Sequence, residues 1–123
     1  MDFDNSLPIY IQIMDLIKRR IVLNELGAGE KLPSVRDIAQ ELKVNPNTIQ
    51  RSYSELEREE IVYTQRGLGT FITEDTKRIR DLKSNLGTRI VEKFITDMNS
   101  LGYGRDEIIE LISNMNGGTE WIQ

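Results

Sequence analysis

The stretch from residue 32 to residue 73 constrains the fold most, because two helical patterns are followed there by a hairpin pattern. Ser34 can cap the first helix, since a serine side chain accepts a hydrogen bond from a free backbone N–H. Asp37 lies three residues later, where a capping-box partner belongs. Four apolar residues recur at helical spacing, namely Val35, Ile38, Ala39 and Leu42. The pattern predicts a short amphipathic helix that ends at a Lys43-Val44 turn.

A second helix follows at once, and its first half is polar and free of acidic residues. Asn45 can cap it, and Pro46 suits its first turn, where no intrahelical N–H bond is lost. The predicted buried stripe is Ile49, Tyr53 and Leu56. The predicted outward residues are Asn47, Thr48, Gln50, Arg51 and Ser54. This helix end suits a polyanion, because asparagine and glutamine can bond adenine at two points and arginine can bond guanine.

A hairpin pattern completes this unit. Two β-rich runs, 61–64 and 70–73, flank the loop Gln65-Arg66-Gly67-Leu68-Gly69. The two glycines allow positive φ, and the arginine can contact a phosphate or the minor groove. Lys31-Leu32 can add a short third strand. A helix pair alone is a weak signal. The order of helix, helix and basic hairpin is much more specific, and it predicts a winged helix-turn-helix whose second helix contacts base edges of DNA.

Upstream, the pattern predicts a helix from about Leu7 to Asn24, with Ser6 as its cap. Its predicted buried face is Ile9, Ile13, Leu16, Ile17 and Ile21. Lys18-Arg19-Arg20 is the basic cluster of this helix. We interpret the cluster as a solvent face, with a phosphate contact as a further role.

A long apolar repeat after the wing predicts two C-terminal helices. Asp75 or Thr76 can cap the first, and Gly102-Tyr103-Gly104 breaks it. The second is expected to end at Asn116-Gly117-Gly118. The apolar residues of the first recur three or four positions apart, at Ile79, Leu82, Leu86, Ile90, Phe94, Met98 and Leu101. This pattern is typical of an αα-hairpin.

The C-terminal hairpin carries more apolar surface than two helices can bury, which predicts a partner. A homodimer is favoured, because most oligomers pair two identical faces; packing on the winged domain is the alternative. The predicted dimerisation residues are Leu82, Leu86, Ile90, Phe94, Met98, Leu101, Ile108 and Ile112. The predicted fold is α+β and mainly helical, with a winged helix-turn-helix DNA-binding domain (1–75) followed by a two-helix dimerisation hairpin (76–123).

An effector site is not expected within one such hairpin. Small-molecule sites need a cavity of roughly 300 Å³ or more, and we expect two helices to form one only with walls from elsewhere. A ligand would then bind at the dimer or inter-domain seam, near Phe94, Met98 and Tyr103.

Composition narrows the class of protein. The chain contains no cysteine and no histidine, which removes thiol chemistry and the commonest general base and metal ligand. We therefore expect no enzyme, no cofactor and no metal site. No apolar run approaches the roughly 20 residues that span a bilayer, and no signal-like segment precedes Pro8. The expected location is the cytoplasm.

The net charge of −4 argues at first against a DNA partner. Its distribution removes the objection, since residues 43–54 and 61–73 contain no acidic residue. The run Glu55, Glu57, Glu59 and Glu60 is interpreted as a solvated helix end.

A set of short motifs occurs in a fixed order between residues 8 and 73: Pro8-Ile9-Tyr10, Gly29-Glu30-Lys31-Leu32-Pro33-Ser34 with Arg36, Val44-Asn45 with Thr48, Tyr53, Leu56 and Arg66-Gly67-Leu68-Gly69-Thr70-Phe71. In these motifs the chain resembles the GntR family of bacterial transcription regulators. The resemblance implies DNA contacts from Arg36, Asn45, Asn47, Thr48, Gln50, Arg51, Arg66 and Gly67. Pro46 departs from many members, which carry a polar or basic residue there. The short C-terminal part is similar to the YtrA-type branch, whose two-helix tail dimerises.

These observations favour a homodimeric, sequence-specific regulator that represses transcription by binding a palindromic operator in double-stranded DNA. The alternative is a winged-helix module that binds a protein partner through its hairpin and tail. The acid-free second helix favours DNA.

Overall fold

Five helices and one hairpin make up the part of the chain that the computed structural model describes, residues 3–115. The elements are α1 (Ile9–Val22), α2 (Val35–Leu42), α3 (Pro46–Arg58), β1 (Val62–Gln65), β2 (Gly69–Ile72), α4 (Thr76–Ser100) and α5 (Arg105–Ser113). The α+β, mainly helical fold class is confirmed. No helix among the described residues is both long and apolar enough to cross a membrane.

The helix-turn-helix forms through the side chains that the sequence indicated. Ser34 Oγ accepts from Asp37 N at 3.0 Å and caps α2. Lys43 adopts the left-handed conformation (φ 58°), which ends α2 and turns the chain. Asn45 Oδ1 then accepts from Asn47 N at 2.8 Å and caps α3, whose first residue is Pro46. Local capping therefore sets where both helices begin.

The core of the N-terminal unit joins α1, α2, α3 and the hairpin. Its fully buried side chains include Ile13, Ile17, Ile49, Leu56 and Ile72. Tyr53 OH donates to Pro33 O at 2.7 Å, so its buried hydroxyl is paired. Burial raises the pKa of Tyr53 to about 12, because the phenolate would lose its hydration.

The hairpin is antiparallel, with Val62 opposite Ile72 and Gln65 opposite Gly69. We call residues 62–72 the wing. The predicted third strand is reduced to a single bridge between Lys31 and Phe71. Backbone bonds on either side still hold this segment to β2; Leu32 N, for example, donates to Thr70 O at 2.8 Å.

The predicted start and buried face of α1 need correction. The helix begins at Ile9 after Pro8, with no side-chain cap. Ser6 instead donates from its backbone N and its Oγ to Asp4 Oδ1, and these hydrogen bonds hold the Asp4 pKa below its usual value. Gln12 bridges back to the Asp4 backbone. Of the predicted buried face, Ile9 is exposed and Leu16 is only partly buried.

The prediction that Lys18-Arg19-Arg20 forms a solvent face is wrong for Lys18. Lys18 is buried, and its Nζ lies 2.8 Å from Glu59 Oε1. Arg19 Nε pairs with Asp15 Oδ2 at 2.7 Å. Met14 is also buried on this helix. The long aliphatic stem of Lys18 allows this burial, since it can pack along apolar surface while the ammonium finds a carboxylate.

The glutamate run is likewise more than a solvated helix end. Besides the Glu59 pair, Glu57 Oε2 accepts from Thr64 N at 3.0 Å and so connects α3 to β1. Glu60 Oε2 lies 3.2 Å from Arg78 Nη1 at the start of α4. These acids are engaged with the protein at the end of α3 that lies away from its polar N-terminus.

The first C-terminal helix begins where the sequence indicated. Asp75 Oδ1 accepts from Lys77 N at 3.0 Å at the start of α4. Gly102 has a φ of 91° in the turn after α4, and α5 ends at Ser113. The expected terminator, 116–118, lies outside the described residues.

Two compact units divide the chain between Ser84 and Asn85, inside α4. The predicted division after residue 75 instead follows the end of the wing, and as a functional boundary it stays a prediction.

Candidate nucleic-acid interface

The N-terminal half of α3 presents polar side chains to solvent. No acidic residue lies in its first turn, and its N-terminus carries the partial positive charge of the helix dipole. Asn47, Gln50, Arg51 and Ser54 are exposed, whereas Thr48 is partly buried. Gln50 Nε2 donates weakly to Ser54 Oγ at 3.3 Å, which leaves the Gln50 carbonyl oxygen available. This surface can bond both donors and acceptors on base edges.

The opposite face of α3 is held by the core. Its buried residues are Ile49, Ser52, Tyr53 and Leu56. The predicted stripe is confirmed, but Ser52 was missed. Its Oγ lies 3.1 Å from Tyr10 O and 3.0 Å from Thr48 O. Serine is polar, so an apolar pattern in the sequence does not include such a residue. Its buried position becomes evident only from the contact between α3 and α1.

Arg51 lies against an aromatic ring at the start of α1. Its guanidinium carbon is 3.8 Å from the centroid of the Tyr10 ring. The prediction that Arg51 is exposed is confirmed, but its aromatic partner was missed. Tyr10 belongs to the Pro-Ile-Tyr segment that carries the family resemblance, yet helical spacing within α3 cannot indicate a contact with α1.

The wing tip carries two of the predicted DNA-contacting residues. Arg66 and Gly67 are exposed, and Leu68 N donates to Gln65 O at 2.9 Å to close the turn. Gly67 has φ 81° and Gly69 has φ 125°, so the positive φ predicted for both is confirmed.

Lys31 is a basic residue of this region that sequence reasoning did not single out for a contact. A Cβ at Gly69 would lie 2.6 Å from Lys31 Cε, so the lysine stem crosses directly over the glycine. This placement of the Lys31 side chain therefore requires a residue without a Cβ at position 69.

All eight predicted DNA contacts belong to the N-terminal unit, and seven of them are exposed. Five lie at the cap and first turns of α3, Arg36 lies in the first turn of α2, and two lie at the wing tip. Both α2 and β1 pack on α3. The helix-turn-helix and the wing are thus parts of one unit built around α3.

The C-terminal unit exposes many apolar side chains. The exposed large ones of 85–115 are Ile90, Val91, Phe94, Ile95, Leu101, Ile109, Leu111, Ile112 and Met115. Of the predicted dimerisation residues, Leu82 and Ile108 are buried within the single chain, and Leu86 and Met98 are partly buried. The other four are exposed.

An apolar groove of about 490 Å³ lies between α4 and α5. It is lined by Val91, Phe94, Ile95, Asn99, Arg105, Ile108, Ile109 and Ile112. The expectation that two helices form a concavity of this size only with other walls is wrong, because all the lining residues belong to α4 and α5.

Comparison with known proteins agrees with this architecture. Residues 9–72 match the model of the family described as bacterial regulatory proteins, gntR family. The HTH-type transcriptional regulator YhcF of Bacillus subtilis is 49% identical over 116 residues, covering 94% of this chain and 96% of its own length. The HTH-type transcriptional repressor YtrA of Bacillus subtilis is 35% identical, covering 94% and 90% respectively.

A solved structure is similar over nearly the whole chain. The GntR family transcriptional regulator from Listeria monocytogenes superposes with a TM-score of 0.85 at 46% identity, covering 93% of this chain and 100% of that one. The resemblance stated from the sequence is confirmed, including its YtrA-type branch. The chain therefore belongs to the gntR family of bacterial transcription regulators and carries its winged helix-turn-helix DNA-binding fold.

Proposed function

We propose that this protein is a homodimeric repressor that binds a palindromic operator through α3 and the wing of each subunit. The observation that carries the proposal is the exposed, acid-free N-terminal half of α3 with an arginine-bearing wing in the same unit. A relative of similar length is named a transcriptional repressor, which supports the sign of regulation. Binding over a promoter would block RNA polymerase.

The proposed contacts separate into two kinds. Asn47, Gln50 and Arg51 contact base edges in the major groove, because their side chains carry the donors and acceptors that distinguish bases. Arg36 and Arg66 contact the sugar-phosphate backbone or the minor groove and fix the register. The proposed DNA-binding set is Arg36, Asn45, Asn47, Thr48, Gln50, Arg51, Arg66 and Gly67.

The apolar surface of α4 and α5 is proposed as the dimer interface. Monomeric proteins rarely expose so many neighbouring apolar side chains, and such a surface marks an association site. A two-fold pairing buries the same face on both subunits. It would present two α3 helices to successive major grooves, about 34–36 Å apart. In this division of labour, residues 1–75 bind DNA and residues 76–123 dimerise.

The same proposal covers activity and location. Binding alone accounts for repression, so we propose no enzymatic activity and no cofactor. Because its target is bacterial DNA, we place the protein in the cytoplasm. A small-molecule effector is not required.

A selection experiment tests the proposed function. The full chain is used to enrich duplexes from a random pool, and the enriched sequence is called the selected duplex. We expect a palindrome that the wild-type chain binds far more tightly than a scrambled duplex. Gln50→Glu, which places an acid on the exposed face of α3, should abolish that preference. Thr96→Glu, which adds the same charge at an exposed position of α4, is the charge control and should keep it. Enrichment of no sequence would refute the proposal and favour a protein partner.

A further inference from the structure

The ring of Tyr10 and the guanidinium of Arg51 form a contact between α1 and the exposed face of α3. The distance of 3.8 Å from the guanidinium carbon to the ring centroid is that of direct stacking. The contact lies beside a second link between the same helices, in which Ser52 Oγ bonds Tyr10 O at 3.1 Å. The backbone of Tyr10 is thus fixed to α3 one residue after Arg51. The backbone from which the ring projects is therefore held independently of the arginine.

We propose that Tyr10 is a positioning residue that sets the DNA specificity of this protein without contacting DNA. This inference rests on the proposed function and deepens it. Stacking covers the face of the guanidinium and leaves the N–H donors at its edge free. Those donors are the groups that bond guanine or a phosphate. Tyr10 holds the Arg51 guanidinium over α3 in one orientation. A guanidinium held in this way favours one hydrogen-bonding geometry.

The physical advantage is the conformational entropy of Arg51. A free arginine side chain samples many rotamers and loses them when it binds, which weakens binding. A side chain that is already held loses fewer. Holding Arg51 on the partly exposed Tyr10 ring should therefore strengthen the arginine contact by about two- to fivefold in affinity, because less side-chain entropy is lost on binding. The gain applies to the duplex whose bases match the held orientation.

An alternative explanation is that the contact between Tyr10 and Arg51 only helps to pack α1 against α3. The two explanations differ in what a loss of the ring does to Arg51 and to DNA discrimination. A packing role lowers stability and weakens every duplex alike. A positioning role lowers the preference for the selected duplex and disappears when Arg51 is absent.

The first test needs no DNA. In the full wild-type chain, the ring current of Tyr10 should shift the Arg51 Hδ and Hε resonances upfield, and the Arg51 Nε–Hε group should give a rigid heteronuclear NOE. Tyr10→Leu should remove both signatures, and Tyr10→Phe should keep both. Ile11→Ala, an exposed substitution in the same turn of α1, is the matched control and should change neither. A mobile Arg51 in the wild-type chain would overturn the inference.

The second test is a double-mutant cycle on DNA. Tyr10→Leu should weaken binding of the selected duplex by about two- to fivefold and leave the scrambled duplex unchanged. Tyr10→Phe should bind like the wild type. In the Arg51→Ala background, Tyr10→Leu should have no further effect. Additive losses, or equal losses on both duplexes, would overturn the inference. If the wild-type chain bound no duplex selectively, the proposed function would be contradicted instead. The NMR comparison would still decide whether Tyr10 holds Arg51.

Discussion

Lys18 and Glu59 form an ion pair that joins α1 to the residue after α3, with Lys18 Nζ 2.8 Å from Glu59 Oε1. The side chain of Lys18 is only 10% exposed, whereas that of Glu59 is 44% exposed. The lysine therefore depends on its partner more than the glutamate does, because a charge that leaves water needs a compensating one.

Glu59→Gln should lower the free energy of unfolding by about 1–2 kcal/mol, less than for a fully buried pair because water still reaches Glu59. Urea unfolding followed by circular dichroism measures the change. Lys18→Met combined with Glu59→Gln should recover most of the loss, because the buried site can hold an apolar side chain. If Glu59→Gln alone were as stable as the wild type, Lys18 would not need Glu59 as a partner.

Gly69→Ala should destabilise the wing for two reasons. The φ of 125° is unfavourable for alanine, and the new Cβ would lie 2.6 Å from Lys31 Cε. We expect a loss of about 1–3 kcal/mol. Gly67→Ala is the control, since its φ is 81° but nothing lies within 4 Å of its added Cβ. Lys31→Ala should relieve the steric part only, as thermal unfolding of the double variant can measure. A Gly69→Ala loss that Lys31→Ala does not reduce would show that the backbone conformation alone causes it.

Tyr53 should give the protein a stability loss in strong base. Its folded pKa is about 12, above the ordinary value of 10.0. The folded state therefore keeps a proton that the unfolded state releases. The associated stability is present below pH 10 and is lost as the pH rises towards 12. An absorbance titration of phenolate formation should show one late tyrosine that Tyr53→Phe lacks.

The same substitution removes the hydrogen bond to Pro33 O, so Tyr53→Phe should cost about 1–2 kcal/mol at neutral pH. Urea unfolding provides this second measurement. Titration of all tyrosines near pH 10 would argue against a buried phenol.

The dimer proposal makes Phe94 a sensitive position. Phe94→Glu should place a charge in the apolar face and shift the full chain to monomers in sedimentation velocity. Its affinity for the selected duplex should fall strongly, because linked half-sites gain from effective concentration. Thr96→Glu adds the same charge at an exposed position on another side of α4 and should leave the dimer intact. If the Phe94→Glu variant remained a dimer, this face of α4 would not be the dimer interface.

Arginine substitutions separate base contacts from phosphate contacts. Arg51→Ala should weaken the selected duplex by about 1–3 kcal/mol and leave the scrambled duplex little changed. Arg36→Ala should weaken both nearly alike and reduce the slope of log affinity against log salt by about one. Fluorescence anisotropy across a salt series measures both. Unchanged binding in both variants would end the assignment of this surface.

The parts of the fold that were predictable from sequence are those set by neighbouring residues. Ser34 and Asn45 cap helices within three residues of themselves, and the glycines of the wing tip act on their own backbone. Such signals are present in any short window of sequence. The order of the elements follows from them.

The parts that were missed depend on residues far apart in the chain. Lys18 looked solvent-exposed because helical spacing cannot show a carboxylate on another helix. Arg51 showed its exposed position but not the Tyr10 ring beside it. Ser6 looked like a cap, yet its hydrogen bonds go to Asp4. In each case tertiary packing chose between partners that the local pattern left equivalent.

Hydroxyl-radical footprinting of the selected duplex with the full wild-type chain tests the central claim most directly. We expect two protected patches related by two-fold symmetry, with half-site centres about 10 base pairs apart or a multiple of that spacing. Phe94→Glu should weaken both patches together. A single unsymmetrical patch, or no protection at concentrations where the chain is dimeric, would contradict the proposal that paired α3 helices bind a palindromic operator.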